Sequence, residues 1–525
     1  MSYLSRFDEH DKLVDERKAV IKNIYLTNEK PWVLGYSGGK DSTATMQIII
    51  ESLQEIPVEQ RTNHIYIISS DTLVETPLII SKITETLNKV QKFAEDIELP
   101  ISTHRVYPSI NNTFWVNLIG KGYPCPNQSF RWCTDRLKIQ PSNDFILEKV
   151  SEHGEVIVVL GVREGESNSR DQVLKKKEIV ENELMLHSSL PNAYVFAPIK
   201  PFTIDDVWSL LLNKPAPWGD DNSELFKLYS ESSDSSECPL VIDESIKQEA
   251  GSCGNSRFGC WVCTVVQQDK SLTGFLNSGH TWLQPLLDYR NWLVDIRDDR
   301  SMRMKMRMNG QIYFSKTTVK NGKIEISAKN NRQKVSIDIN SGKDNFGDHW
   351  RIFDSKELAL EYIKNNNIDV TSAYDPKIIS KTNQGYGVLG LGTFTYQARF
   401  EMLNDLLEMQ RNLRIQRGEE IELIRDEEVL EIQRIWSEKG NWEYSAIDLY
   451  TSIYDRNLNV KDFSRENYLT KSMTHLLDEI CQENAMDASI IKQLLHLEND
   501  CYGLMRRDKV QKGIHKILSK DYINV

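Results

Sequence analysis

"VLGYSGGKDSTATM", residues 33–46, joins an apolar run to a helix-forming run through two glycines, a lysine, an aspartate and a serine. Gly38 and Gly39 allow a ligand to come close to the backbone. A helix starting there offers unpaired N–H groups and the positive end of its dipole. Lys40 adds charge, and Ser37 and Ser42 add hydroxyl donors. The stretch reads as a strand–turn–helix that holds a phosphate. It is not a Walker A loop, because Asp41 follows Lys40 where that loop needs Ser or Thr, and position 34 is Leu. A lone Gly-Gly-Lys would be a tight turn capped by Asp41; the full "SGGKDS" at a strand–helix junction favours the anion.

The same alternation continues on both sides. "WVLGYS" reads as a strand, with a helix from about Asp41 to Leu53. "HIYIISSD" is the next strand, with a helix across roughly Pro77–Glu95. "STHRVYP", "EVIVVLGVRE" and "AYVFAPIKP" supply three more strands. Strands alternating with helices imply an α/β fold, a doubly wound parallel sheet covered on both faces. Ligands of such sheets sit beyond the carboxyl ends of the strands, where Ser37–Ser42, Asp71 and Arg163–Arg170 would converge. There Asp41 and Asp71 are candidates to position Mg2+ on a pyrophosphate, and Arg163 and Arg170 to clamp phosphate. An ordinary ion-pair network at strand ends is the competing reading.

The 525 residues exceed one ordinary core, so several domains are expected. The divisions are an N-terminal helix at 1–30, the phosphate-binding domain at 31–215, a cysteine-bearing segment at 216–300 and an extension at 301–525. Within the extension, Asn321–Gly322 signals a hairpin in a small antiparallel sheet at 310–340. From Phe394 onward the apolar spacing is helical. With 40% hydrophobic and 27% charged residues, a charged N-terminus and only strand-length apolar runs, the expectation is a soluble cytoplasmic protein with no membrane partner.

A net charge of −12 excludes a surface that is basic throughout, though not a local basic groove. Five basic residues against two acidic ones at 297–307, and six against Glu325 at 316–334, are candidates for phosphate-backbone contact. Runs of this kind are more often solvated faces. Four of the eight cysteines follow the spacing Cys238-x14-Cys253-x6-Cys260-x2-Cys263. Four thiolates so spaced hold zinc or an iron–sulfur cluster, and spacing does not choose between them. Cys133, between Arg131 and Arg136, is a fifth candidate: a ligand, a thiol of depressed pKa that carries persulfide, or a packed side chain.

The motifs together resemble a known family. "SGGKDS" looks like the PP-loop of the ATP-pyrophosphatase superfamily. "SDTLVETP" (70–77), "RWCTDRLKIQP" (131–141), "LGVREGESNSR" (160–170), "FTIDDVW" (202–208) and "GCWVCT" (259–264) resemble, in order, elements of the PAPS reductase family. Within it, the length, "KGYPCPNQSFRWCTDRLK" (121–138), the cysteine cluster and the long extension are similar to the DndC group of DNA phosphorothioation proteins. That resemblance implies ATP and Mg2+ at Ser37, Gly38, Gly39, Lys40, Asp41, Ser42, Asp71, Arg163 and Arg170. It further implies catalysis by Lys40, Asp41, Cys133 and Arg170, and a 4Fe–4S cluster on Cys238, Cys253, Cys260 and Cys263. The implied partners are DNA, a cysteine desulfurase as sulfur donor and further subunits of a phosphorothioation complex. The expected reaction is adenylation of a DNA backbone phosphate, with pyrophosphate release, followed by sulfur transfer. A sulfonucleotide reductase, a tRNA thiolase and a nucleotide-regulated DNA scaffold are the alternatives.

Overall fold

The structure, a computed structural model, describes residues 3–164, 179–181, 183–231, 259–304, 306–310, 314–316, 323–327, 334–338, 343–346, 349–352, 379–382, 385–389, 391–418, 421–458, 469, 471–484, 486–501 and 508–520. The chain divides into two units: Met1–Phe114 with Pro126–Arg290, and Trp115–Cys125 with Asn291–Val525.

The first unit opens with α1 (Tyr3–Thr27), β1 (Trp32–Gly35), α2 (Lys40–Gln54), β2 (Ile65–Ser70), α3 (Pro77–Asp96) and β3 (Ile101–Val106). It continues through α4 (Gln140–His153), β4 (Val156–Val159), β5 (Ile179–Glu181), β6 (Leu184–Leu186) and β7 (Ala193–Phe196). Helices α5 (Ile204–Leu212), α6 (Asn222–Glu231) and α7 (Lys270–Asn277) follow, and α8 (Gln284–Ile296) runs across the boundary at Arg290. The sheet order is β3-β2-β1-β4-β7-β6-β5. Its first five strands are parallel, with Trp32 opposite Ile65 on one side and Ile157 on the other. β6 and the edge strand β5, which the apolar pattern did not signal, pair antiparallel.

Alternation along β3 places the covering helices. His104 packs 5.1 Å from Phe145 of α4, while its neighbour Arg105 donates to Thr84 of α3 at 3.2 Å. Successive side chains point to opposite faces, so α3 and α4 cover opposite faces, as a doubly wound sheet requires. Val33, Ile68, Val156 and Val158 form one core with Ile146 of α4. Helix α2 is buried from Ser42 to Leu53. α1 packs on it, where Lys18 meets Glu51 at 2.9 Å. Pro77 starts α3 with the φ a first turn needs. Reciprocal Thr203–Asp206 bonds start α5.

The second unit contains helices α9 (Tyr396–Arg417), α10 (Asp426–Glu438), α11 (Ala446–Tyr454), α12 (Lys471–Glu483), α13 (Ala488–Asp500) and α14 (Asp508–Leu518). The strap 115–125 is threaded among them. Trp115 Nε1 donates to the Leu423 carbonyl at 2.6 Å, and Trp436 Nε1 to that of Ile119 at 3.0 Å. Trp115, Val116, Leu118 and Ile119 are fully buried. Buried Arg399 donates to the carbonyls of Phe394 and Gly120.

The unit also carries a sheet β12-β11-β10-β9, made of β9 (Lys323–Ser327), β10 (Lys334–Asp338), β11 (Lys343–Phe346) and β12 (His349–Ile352). A second sheet, β13-β14-β8, joins β8 (Phe314–Lys316), β13 (Ile379–Thr382) and β14 (Gly385–Leu389). Asn321–Gly322, where a hairpin is expected, lies outside the described residues. β9 pairs with β10, whereas β8 pairs with β14. Among the described residues, no helix is long and apolar enough to cross a membrane.

One polar cluster on the α4 face makes stability depend on pH. Ser102 Oγ lies 2.7 Å from His64 Nε2 and 2.8 Å from His104 Nε2, and Tyr66 Oη lies 3.1 Å from His153 Nε2. Burial lowers the pKa of His64, helped by His104, His153 and Lys149. Burial and then Lys149 lower that of His104, against Glu148. A depressed histidine pKa means that the folded state binds fewer protons than the unfolded one. Its stabilisation is present above the ordinary value near 6.5 and is lost as pH falls through the folded values. The melting temperature should therefore fall between pH 7.5 and 5.5, above the range where carboxylates titrate. The double variant His64→Gln/His104→Gln should flatten that slope; an unchanged slope would refute the assignment.

Candidate functional site

At the switch point of the sheet, β1 has β2 on one side and β4 on the other. The turn after β1 begins with Tyr36 N donating to the Ile68 carbonyl at 2.8 Å. Gly38 takes φ +72°, where a side chain would also meet Ile83 at 2.6 Å. Gly39 caps α2 without a side-chain bond to the helix amides. Ser42 Oγ accepts from Ser37 N (3.2 Å) and donates to the Gly39 carbonyl (2.9 Å), so the two serines of the motif brace each other across the turn.

The turn after β4 closes on this one. A Cβ on Gly161 would stand 2.8 Å from the Asp41 carbonyl oxygen and 3.0 Å from Ser42 N. Two residues on, buried Arg163 sets Nε 2.5 Å from Asp41 Oδ1, while Lys40 Nζ approaches Oδ2 at 3.3 Å. One carboxylate thus holds two cations at the amino end of α2. The cluster Lys40–Asp41–Arg163 carries one net positive charge, which suits an anionic ligand. Tyr229, on α6, is a contributor that the sequence reading missed. Lys40 N donates to its Oη at 3.1 Å, and Lys40 Nζ stands 5.1 Å from the ring centre. Nothing in the spacing signals it, because 189 residues separate the pair.

Asp71, just past β2, is buried; its carboxylate pairs with Arg105 and accepts from Leu73 N at 2.8 Å. Arg170 lies outside the described residues. The structure therefore brings Ser37–Ser42 and Arg163 together, and turns Asp71 toward Arg105.

The turn after Asp71 meets the thiols. Glu75 bridges to Cys260 in backbone pairing, and Trp261 N donates to the Val74 carbonyl at 3.0 Å. Cys260 Sγ lies 3.3 Å from Thr72 Oγ1, and Lys138 Nζ lies 3.2 Å from Glu75 Oε1. Cys260 and Cys263 share a turn closed by Cys263 N donating to the Cys260 carbonyl at 3.0 Å. The Cys260 sulfur, then Glu75, hold Lys138 above its usual range. Burial, then the Glu75 charge, push the Cys260 thiol up.

Cys133 differs from expectation. Burial and then the neighbouring Cys263 sulfur raise its pKa. The guanidinium of Arg136 is spent on Asn112 Oδ1 at 3.3 Å, and Arg131 is exposed. Cys238 and Cys253 lie outside the described residues. Among the described residues no group of three His, Cys, Asp or Glu side chains is arranged to hold a metal ion. Cys481 and Cys501 are buried, and burial pushes Cys125 up to about 12.

The basic run at 297–307 is corrected in one residue. Arg303 is 6% exposed, donates to the Gly392 and Arg297 carbonyls and lies 4.8 Å from the Phe394 ring centre. It is a structural side chain, not a surface cation. Lys305 lies outside the described residues, and Arg307 is exposed.

Residues 31–266 match the phosphoadenosine phosphosulfate reductase domain family. An uncharacterised protein of Methanocaldococcus jannaschii is 29% identical over 254 residues, 48% of this chain. The match spans 40% of that relative's length. Among solved structures, the PAPS reductase of Candida auris is similar at 13% identity, covering 43% of this chain and 92% of that one, with a TM-score of 0.26. The U34-tRNA thiolase of Methanococcus maripaludis, solved with its [4Fe–4S] cluster, is similar at 17% identity, covering 42% and 74%, with a TM-score of 0.24.

The backbone contact at Gly161 yields a direct test. Gly161→Ala must displace the first turn of α2, since the obstructing atoms are backbone. Such overpacking costs about 1–3 kcal/mol. A lower melting temperature and at least tenfold weaker binding of inorganic pyrophosphate are expected, with wild-type values disproving the close approach.

Proposed function

We propose that this protein is an ATP-dependent sulfurtransferase that adenylates a DNA backbone phosphate and replaces one of its non-bridging oxygens with sulfur. The observation that carries the reading is the meeting of Lys40, Asp41 and Arg163 at the switch point, in the same unit as Cys133, Cys260 and Cys263. In the first step an oxygen of the acceptor phosphate attacks the α-phosphorus of ATP. The bond to the β,γ-phosphates breaks, and pyrophosphate leaves with the electron pair. Lys40 and the loop amides stabilise the charge that develops on the departing oxygens. Mg2+ would be held by the nucleotide's phosphates with Asp41.

In the second step the outer sulfur of a persulfide attacks the adenylated phosphorus, and AMP departs. Cys133, loaded by a cysteine desulfurase, carries that persulfide. The S–S bond left between Cys133 and the new P–S sulfur is then reduced by an attacking thiol. That thiol ends in a disulfide with Cys133, and the phosphorothioate is released. In loading, the Cys133 thiolate attacks the outer sulfur of the desulfurase's persulfide; the S–S bond there breaks, the desulfurase cysteine leaves as thiolate, and Cys133 holds the persulfide.

Cys260 and Cys263, on one turn beside Thr72 and Lys138, fit half of a four-thiolate set. The proposed group is a 4Fe–4S cluster completed by Cys238 and Cys253. Thr72 and Lys138 are the donors that would steady a bound thiolate. When bound, the cluster supplies a site for sulfur or electrons.

The family match also favours a second reading, a sulfonucleotide reductase. That enzyme needs an accessible attacking thiol near its C-terminus, and Cys501 is 5% exposed at the end of α13. Buried Cys501 does not supply such a thiol.

Conversion of ATP to AMP and pyrophosphate should require both DNA and a sulfur donor, and should be lost in Lys40→Ala at unchanged melting temperature. Reduction of a sulfonucleotide without DNA would replace this reading with the reductase. For the cluster, anaerobically purified protein should contain about four irons per chain. Its brown absorbance should be lost with Cys260→Ser or Cys263→Ser and kept with Cys481→Ser. About one zinc in colourless protein would instead favour a structural zinc site.

A further inference from the structure

We propose that Tyr229 guards the phosphate loop: its phenol oxygen stands where a phosphate oxygen would sit on the Lys40 amide, and it yields that place when ligand binds. The proposal rests on reading the loop as the site of ATP.

The first amides of a helix have no partner within the helix and are the groups an anion uses. In this loop Thr43 N is spent on the Gly39 carbonyl at 2.9 Å, and Lys40 N is given to Tyr229 Oη at 3.1 Å. The same hydroxyl lies 3.1 Å from where a Cβ on Gly39 would be, so it occupies the surface that the glycine leaves open. The ring faces the other phosphate-binding group, Lys40 Nζ, at 5.1 Å from its centre.

Tyr229 is 7% exposed and wedged edge-on against Trp208, 5.4 Å away at 85°, and Trp208 in turn meets Phe226. It is therefore held on the loop by packing. A phenol is a neutral acceptor, and a phosphate oxygen makes a charge-assisted bond about twice as strong. An arriving pyrophosphate group accordingly displaces the hydroxyl. The ring keeps its hold on the ammonium by attraction to its π face.

Hydroxyl and ring have separable effects. Tyr229→Phe removes the competing acceptor and keeps the ring, so binding of inorganic pyrophosphate and of ATP should tighten by about three- to tenfold, the worth of one neutral hydrogen bond. Tyr229→Leu removes both, leaves Lys40 unguided and should slow pyrophosphate release while binding is no weaker than in wild type. Calorimetric titration of full-length protein, with melting temperatures to confirm folding, measures each. Weaker binding by Tyr229→Phe would mean that the hydroxyl contacts phosphate, and unchanged binding that Tyr229 only packs; either overturns the guard. A wild-type protein that binds neither ligand would instead overturn the ATP reading itself.

Discussion

Two neighbouring strands, β1 and β4, end side by side, and the turns that follow them press backbone on backbone at Gly161 and Asp41. That contact leaves no room for a Cβ, and it decides where the amino end of α2 points. Arg163 follows two residues later and pairs with the carboxylate of the residue its own turn touches. With Arg163 buried, loss of Asp41 would strand a desolvated charge, a cost of about 3–5 kcal/mol. Asp41 thus keeps two cations ordered and leaves one positive charge over.

The second cluster depends on the first through the next strand. β2 pairs with β1 in register from Trp32–Ile65 to Gly35–Ile68, and the turn that leaves β2 carries Thr72 and Glu75 to Cys260. Glu75 holds Lys138, and the buried Arg290 donates to the carbonyls of Cys263 and Gln267, both at 2.8 Å. The Cys260–Cys263 turn is therefore fixed from two sides by charged side chains.

Local features were legible in the sequence. The strand–turn–helix at 33–46, the proline-started α3 and the long α9 each follow from neighbours within a few residues. So does the place of the Ser37–Ser42 turn, since the topology puts the switch point after β1. Features that depend on distant partners were not legible. Tyr229 reaches Lys40 across 189 residues, and Arg303 is buried because Gly392 supplies its acceptor 89 residues away. Cys133 looked activated because arginines flank it in sequence, yet burial outweighs them.

The strap at 115–125 has a consequence for biosynthesis. Its tryptophan and isoleucine partners are 308 and 317 residues downstream, at Leu423 and Trp436. At roughly 5–20 residues per second on the ribosome, Trp115, Leu118 and Ile119 wait tens of seconds before those partners are made. Throughout that interval Trp115, Val116, Leu118 and Ile119 lack the partners that bury them. Packing around the strap thus waits on a distant part of the chain and follows the synthesis of residues 423–436.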